Sequence, residues 1–438
     1  MKSKGLGLPQ SLASKDARLF FIFAPMAGIY IHVPFCKSKC GYCGFYSLPS
    51  LKLKEQFLEA LKKEIVGRKE YLKRGRLRVK PAMTPSHNYN HDNSINTIYF
   101  GGGTPSLFSI NEIEGLLDLI YTHFSVNAEA EITLEANPDT LSLEYLKGLR
   151  NIGINRLSIG IQSFFDNDLQ YLGRKHDAHH ACQCLDWAKQ AGFSNISIDL
   201  IYGLPTSHAE QWNQNLDIFF EYGLPHLSAY ALTLEPNSIL TRQIELGKAL
   251  PINDDDALRD YDILCQRAKE NDFLHYEISN FCRRGMHSKH NASYWFGTPY
   301  LGLGPSAHSF DGASRQWNVS SMEKYIDTRR ETARLRDFHS VKTEVPCPEV
   351  PCPASEKEEL TPEQLYDEYV MLRLRTHWGI DLKYMKREMG ERFSTYCEKH
   401  AQTLIAQGRL SQTREFLYLN DAQMLFADGV AEELFWES

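Results

Sequence analysis

The sequence predicts an α/β fold: a partial (β/α)6 TIM-like barrel followed by a small helical or winged-helix-like C-terminal domain. Three observations carry this. Short β-rich runs alternate with longer amphipathic stretches from about residue 27 to 280, the pattern of βα units around a parallel sheet. A proline-rich stretch, Val345 to Glu359, then interrupts the chain. Beyond it, Pro362 to Ser438 has a helical pattern. The expected organisation is an N-terminal extension (1–26), the barrel and its extension (27–310), a linker with the Pro-rich insertion (311–361) and a helix-rich C-terminal domain (362–438).

The six β-rich runs are Gly28–Val33, Thr97–Phe100, Glu131–Glu135, Arg156–Ile161, Asn195–Ile201 and His226–Leu232. Amphipathic stretches such as Leu53–Tyr71, Ile110–Phe124 and Ala209–Tyr222 lie between them and read as the covering helices. Arg74–Asn93, basic and then rich in Pro, His and Asn, and Val345–Glu359, with four prolines and two cysteines, read as mobile surface insertions.

With 438 residues and 42% hydrophobic content, the chain can bury a large core. Its 48 basic and 55 acidic residues leave a formal charge of −7, so nothing global draws it to nucleic acid or an anionic membrane. No run approaches the roughly 20 apolar residues of a membrane span. The longest N-terminal candidate, Leu19–Ala27, is broken by Pro25. Ten cysteines, three of them within eight positions, read as reduced thiols and a metal site, which points to the cytoplasm.

The chemistry gathers at the C-terminal ends of the strands, where βα barrels build their sites. Cys36, Cys40 and Cys43 follow the first strand in a loop, where three thiolates can converge on a soft metal. A closed structural zinc site would want a fourth ligand, and His32 is the nearest histidine; a packed strand residue is its plainer reading. A four-iron cluster held by only three cysteines instead keeps one iron open to an exchangeable ligand. Gly101, Gly102 and Gly103, followed by Thr104, end the second strand, where glycines let a backbone approach a ligand or simply turn. Glu135, Gln162 and Asp199 close the third, fourth and fifth strands, and Arg174 lies in the loop after Gln162. Singly, each reads as a cap or turn former; together they share one register.

Cys36-x3-Cys40-x2-Cys43, with Tyr42 before the last cysteine, resembles the signature of the radical S-adenosylmethionine (SAM) enzymes. The resemblance implies a [4Fe-4S] cluster on these cysteines and S-adenosylmethionine on its open iron, cleaved to a 5′-deoxyadenosyl radical. It extends over nearly the whole chain through Tyr30–Cys36, Gly101–Ser106, Arg156–Ser163, Asp199–Pro205, Tyr276–Phe281 and His290–Trp295. These phrases are similar to the oxygen-independent coproporphyrinogen III oxidases and their HemW-type heme-chaperone relatives. By that similarity Tyr30, Tyr42, Gly102, Gly103, Thr104, Glu135, Gln162, Arg174, Asp199 and Thr233 bind the cofactor or line its extension, and no residue is assigned as catalytic.

The oxidases carry a further Cys two positions beyond the third, where this chain has Phe45. The decarboxylation of two propionates is therefore not expected, and Cys43-Gly-Phe-Tyr-Ser47 resembles the chaperone branch instead. That branch implies heme as a further cofactor, with His290 as axial-ligand candidate and His308 as the second. It implies heme-accepting hemoproteins and an electron donor for the cluster as partners, no nucleic acid, and leaves peripheral membrane contact through recipient proteins open. A hydrogen-bonded His290 at a loop corner is the plainer reading. Radical decarboxylation of a porphyrinogen and a zinc-stabilised, non-redox binding protein stand as the two alternatives. Cys182 and Cys184 straddle one helical position and face apart, Cys347, Cys352, His87 and His91 lie in the insertions, and Asp254–Asp256 reads as an acidic helix start.

Overall fold

In the computed structural model, residues 27–72, 94–236, 238–328 and 355–437 are described. The N-terminal extension and the Arg74–Asn93 insertion, with His87 and His91, lie outside them, as do the prolines and both cysteines of the second insertion.

All six expected strands form. β1 (Ala27–Val33), β2 (Ile95–Gly102), β3 (Val126–Ala136), β4 (Arg156–Gln162), β5 (Ile196–Tyr202) and β6 (His226–Ala231) pair in parallel and in chain order. The covering helices are α1 (Lys54–Gly67), α2 (Ile110–His123), α3 (Leu143–Asn151), α4 (Ala178–Gln190), α5 (Ala209–Glu221) and α6 (Asp254–Glu270). Asn253 caps α6, whose first turn holds Asp254, Asp255 and Asp256 as expected of carboxylates at the positive end of a helix dipole.

Strand side chains alternate between two faces, and the two faces here differ in kind. Ile29, Ile31, Ile98, Phe100, Leu134, Leu157, Ile159, Ile198 and Leu200 join the main core with Phe57, Leu61, Ile113, Leu117, Leu185 and Leu216 from the helices. The opposite face turns Tyr30, Tyr99, Glu135, Ser158, Asp199 and His226 toward one another in a polar lumen. Apolar burial against the helices holds the barrel together and leaves its inside for chemistry.

Six more strands extend the sheet to twelve. β7 (Leu274–Glu277) and β8 (Asn280–Cys282) continue it antiparallel beyond β6. Helix α7 (Lys289–Trp295) follows, and then β9 (Tyr300–Leu303) lies parallel to β1, with β10 (His308–Phe310), β11 (Ser314–Asn318) and β12 (Ser355–Glu359) beyond it. The last two strands occupy the stretch expected to be linker. Ser-Arg-Gln-Trp-Asn and Ser-Glu-Lys-Glu-Glu lack apolar alternation, so periodicity does not find them, and a charged edge strand resists pairing with other chains.

The C-terminal part combines α8 (Pro362–Leu374), α9 (Glu391–Ala406) and α10 (Ala427–Glu432) with a three-stranded antiparallel sheet of β13 (Ile380–Asp381), β14 (Ser411–Gln412) and β15 (Phe416–Tyr418). It has its own core around Tyr366, Leu374, Phe393 and Leu404. Backbone bonds from Ile278 N to Arg375 O (3.2 Å) and from His377 N to Tyr276 O (3.1 Å) join it to β7.

Candidate functional site

The loop after β1 is closed at its neck. Cys36 N donates to Leu48 O (3.0 Å) and Leu48 N to Pro34 O (2.7 Å), so the three cysteines sit on a pinned loop. Its tip is held through Gly41, whose N–H donates to Leu172 O (3.2 Å) and whose carbonyl accepts from Leu240 N (2.8 Å). Tyr42 packs into a small apolar cluster with Leu172, Ile201, Leu204 and Leu240, which locks the loop over the mouth of the barrel.

Each glycine of the second constellation has a steric reason. A Cβ on Gly101 would lie 2.9 Å from the Tyr99 ring and 3.0 Å from Glu135. Gly102 has φ +107°, and a Cβ there would meet the His32 ring at 2.6 Å. On Gly103 it would meet Phe35 O at 2.6 Å and Val33 O at 2.9 Å. Three glycines thus let the end of β2 pass directly against the start of the cysteine loop.

A chain of polar contacts ties the thiols to the lumen. Thr104 Oγ1 donates to Cys36 Sγ (3.6 Å), and Asn137 Nδ2 donates to Thr104 Oγ1 (3.1 Å). Arg174 donates to Asn137 Oδ1 (2.8 Å), Gly160 O (2.8 Å) and Cys40 Sγ (3.4 Å). The guanidinium thus sets a positive charge directly against the Cys40 sulfur. Burial pushes the Cys43 thiol up, and the charges of Cys40 and Cys36 add to the effect, so the three sulfurs share one neighbourhood.

Gln162 ends β4 at φ +69°, an uncommon conformation for a non-glycine residue, beside a break in the β4–β5 register. A Cβ on Gly160 would meet Gln162 Nε2 (2.8 Å), Arg174 Nη2 (3.4 Å) and Asn137 Oδ1 (3.4 Å), so these three polar groups surround one point. Deeper, Glu135 accepts from Tyr99 OH (2.8 Å) and Gly102 N (3.0 Å), and burial raises its pKa to about 7. Asp199 accepts from Ser158 Oγ (3.4 Å) and is raised by burial to about 6. Burial also drives the Tyr30 hydroxyl far above the usual tyrosine value, the charge of Glu135 adding to it. Two buried carboxylates side by side are acceptors for ammonium and hydroxyl groups.

The structure thus gathers Tyr42, Gly102, Gly103, Thr104, Glu135, Gln162, Arg174 and Asp199 toward one end of the barrel, with Tyr30 deeper in the lumen near Glu135 and stacked on His290. Thr233 is exposed just beyond the end of β6, between Leu232 and Leu234 of the cluster that holds Tyr42. His290 differs from the expectation. It is 1% exposed at the other end of the strands, its Nδ1 paired with Thr97 Oγ1 (2.8 Å) and its Nε2 with the Tyr294 hydroxyl (2.8 Å). As placed, it has no lone pair free for heme iron, and burial lowers its pKa to about 3. The plainer reading of His290 as a hydrogen-bonded residue describes this position. His308 keeps an exposed ring on β10, stacked on Trp317 at 5.9 Å. Both His32 nitrogens are likewise engaged, with Tyr30 OH (3.2 Å) and Tyr46 O (3.0 Å), so His32 is not available as a fourth zinc ligand. Asn137 and Tyr99 join the site without having been singled out from the sequence; their places after and within β-rich runs were the available signal.

The donor set fits a polynuclear cluster. Three thiols stand on one pinned loop with Thr104 and Arg174 against two of them, and in a cluster each thiolate takes a different iron. All eight described cysteines are free thiols.

Residues 30–219 match the radical SAM superfamily and residues 360–426 the HemN C-terminal domain. The heme chaperone HemW of Mycobacterium tuberculosis is 30% identical over 419 residues, 94% of this chain and 96% of that protein. HemW of Bacillus subtilis is 31% identical over 410 residues, 92% and 98% of the two chains. Among solved structures, coproporphyrinogen III oxidase (HemN) from Escherichia coli, a radical SAM enzyme, superposes with a TM-score of 0.72 at 22% identity, covering 96% of this chain and 93% of its own. That likeness establishes the shared fold. On the near-full-length identity to the two HemW proteins, the chain belongs to the HemW family of the radical SAM superfamily.

Proposed function

We propose that this chain is a heme chaperone: it binds heme and delivers it to hemoproteins, while Cys36, Cys40 and Cys43 hold a [4Fe-4S] cluster and S-adenosylmethionine occupies the lumen mouth. The observation that carries the reading is full-length similarity to proteins named as heme chaperones, at 30% and 31% identity. Phe45 supports it, standing 69% exposed on the cysteine loop at the position where the oxidases have a further cysteine.

In this reading Arg174 sets the charge beside Cys40, and Thr104 and Asn137 hold the thiol loop in register with the lumen. Glu135, Gln162 and Asp199 accept from the ammonium and hydroxyl groups of S-adenosylmethionine. A reduced cluster supplies the electron for reductive cleavage of that cofactor when both are bound. The apolar packing around Tyr42 holds the loop that carries the three half-buried thiols. An electron donor and heme-accepting hemoproteins are its partners, and the cytoplasm is its place. No helix among the described residues is long and apolar enough to cross a membrane.

The test is anaerobic reconstitution, assay of iron and sulfide, and titration with heme followed in the Soret band. About four irons per chain and saturable heme binding, without carbon dioxide release from coproporphyrinogen III, are expected. Turnover of that porphyrinogen would establish the oxidase instead, and colourless protein with stoichiometric zinc would establish a non-redox binding protein.

A further inference from the structure

The lumen floor carries a charged side chain that the site above does not use. Arg156 begins β4 and is 1% exposed, and its Nε and Nη1 have no hydrogen-bond partner. Thr133, its register partner on β3, is 0% exposed, and its hydroxyl has no partner either. Register partners on adjacent parallel strands point to the same face, so the orphan groups address one space.

The neighbours that could satisfy them are engaged elsewhere. Glu135 accepts from Tyr99 and Gly102, Glu131 from the His290 backbone N–H, and Asp199 from Ser158. His226 is bonded to Ser197 and Tyr276 through its two ring nitrogens, as His290 is to Thr97 and Tyr294. A buried guanidinium with unmade hydrogen bonds beside an unmade hydroxyl is costly, and native interiors satisfy such groups. Glu135 and Asp199 lie close enough for the Arg156 charge to act on both, yet neither bonds its Nε or Nη1. The missing partner is a hydrogen-bond acceptor, and a planar carboxylate matches a guanidinium best.

We propose that Arg156 and Thr133 form a carboxylate-binding site on the lumen floor, both acting as donors. The carboxylate comes from a small free acid or from a propionate arm of a tetrapyrrole. The second source rests on the heme-binding reading above; the first does not.

Two measurements on the full chain decide the matter. In the first, acetate replaces chloride at constant ionic strength and thermal unfolding is followed. Wild type shows a saturable rise in Tm, with affinity about tenfold weaker in Arg156→Met and in the near-isosteric Thr133→Val. In the second, heme and its dimethyl ester are titrated separately. If a propionate is the ligand, wild type prefers the free acid by about tenfold, and both variants lose that preference while binding the ester as wild type does. A response to acetate alone assigns the site to a small acid, and a heme preference alone assigns it to the propionate. Variants that keep both wild-type responses overturn the proposal, as does an effect of Arg156→Met with none in Thr133→Val. Should Arg156→Met fail to fold, Thr133→Val carries the test by itself. Wild type that binds neither heme nor ester refutes the heme-binding reading, and the acetate titration still judges the site.

Discussion

Replacing Gly103 with Ala tests whether the glycine triplet is a steric requirement of the cluster loop. The new Cβ would lie 2.6 Å from Phe35 O, about 0.8 Å inside ordinary contact, and 2.9 Å from Val33 O. Both neighbours are backbone atoms, so no side chain can swing away. The same Val33 oxygen accepts the 2.7 Å hydrogen bond from Gly103 N, which must lengthen as the strands part. Losing that bond costs about 1 kcal/mol and overpacking a rigid contact about 1–3 kcal/mol, so a loss of about 2–4 kcal/mol is expected. Gly115 is the control: it sits within α2, where a Cβ would meet nothing within 4 Å. There Ala should stabilise by about 0.5–1 kcal/mol through helix propensity. Urea unfolding of the metal-free chain reads both, the midpoint falling for Gly103→Ala and rising for Gly115→Ala at unchanged m. Reconstituted Gly103→Ala should also retain less iron, because Phe35 adjoins Cys36. Equal midpoints for Gly103→Ala and wild type, with full iron content, would refute the steric argument.

Three further outcomes are expected. Because burial raises the Glu135 pKa from 4.5 to about 7, its contribution to stability is fully present below pH 4.5 and is lost as pH rises through 7. The loss is on the order of 3 kcal/mol, and Glu135→Gln should flatten it; identical pH profiles of unfolding free energy for the two proteins would count against it. Cys40→Ala should remove the cluster, since two thiolates leave half the irons of a four-iron core unprotected, and full iron and sulfide content in that variant would contradict the ligand assignment. His290→Ala should cost about 2–4 kcal/mol through two lost hydrogen bonds and a cavity, with heme affinity unchanged; weakened heme binding at intact stability would return His290 to the ligand set.

The strands were legible because their outward residues are Ile, Leu, Val and Phe, and Arg156–Ile161 illustrates how little else is needed. The cysteine spacing and the glycine triplet were legible for a similar reason, as both are local in the chain. His290 misled because a sequence gives a histidine's neighbours along the chain and not those across it. Thr97 lies far from it in sequence, yet their side chains meet at 2.8 Å in the lumen. β11 and β12 escaped notice because strands at the margin of the sheet, β12 at its edge and β11 beside it, need no apolar alternation.

The sequence by itself determined the parallel αβ order, the three-thiol loop and the strand-end polar residues, since each is set by spacing within a few residues. Only the tertiary structure decided which polar residues share a space. Asn137 bridges Thr104 and Arg174, Tyr99 holds Glu135, and Arg156 faces the floor beside Thr133. Those relations depend on strand register and barrel curvature, which long-range packing of the apolar outer face fixes.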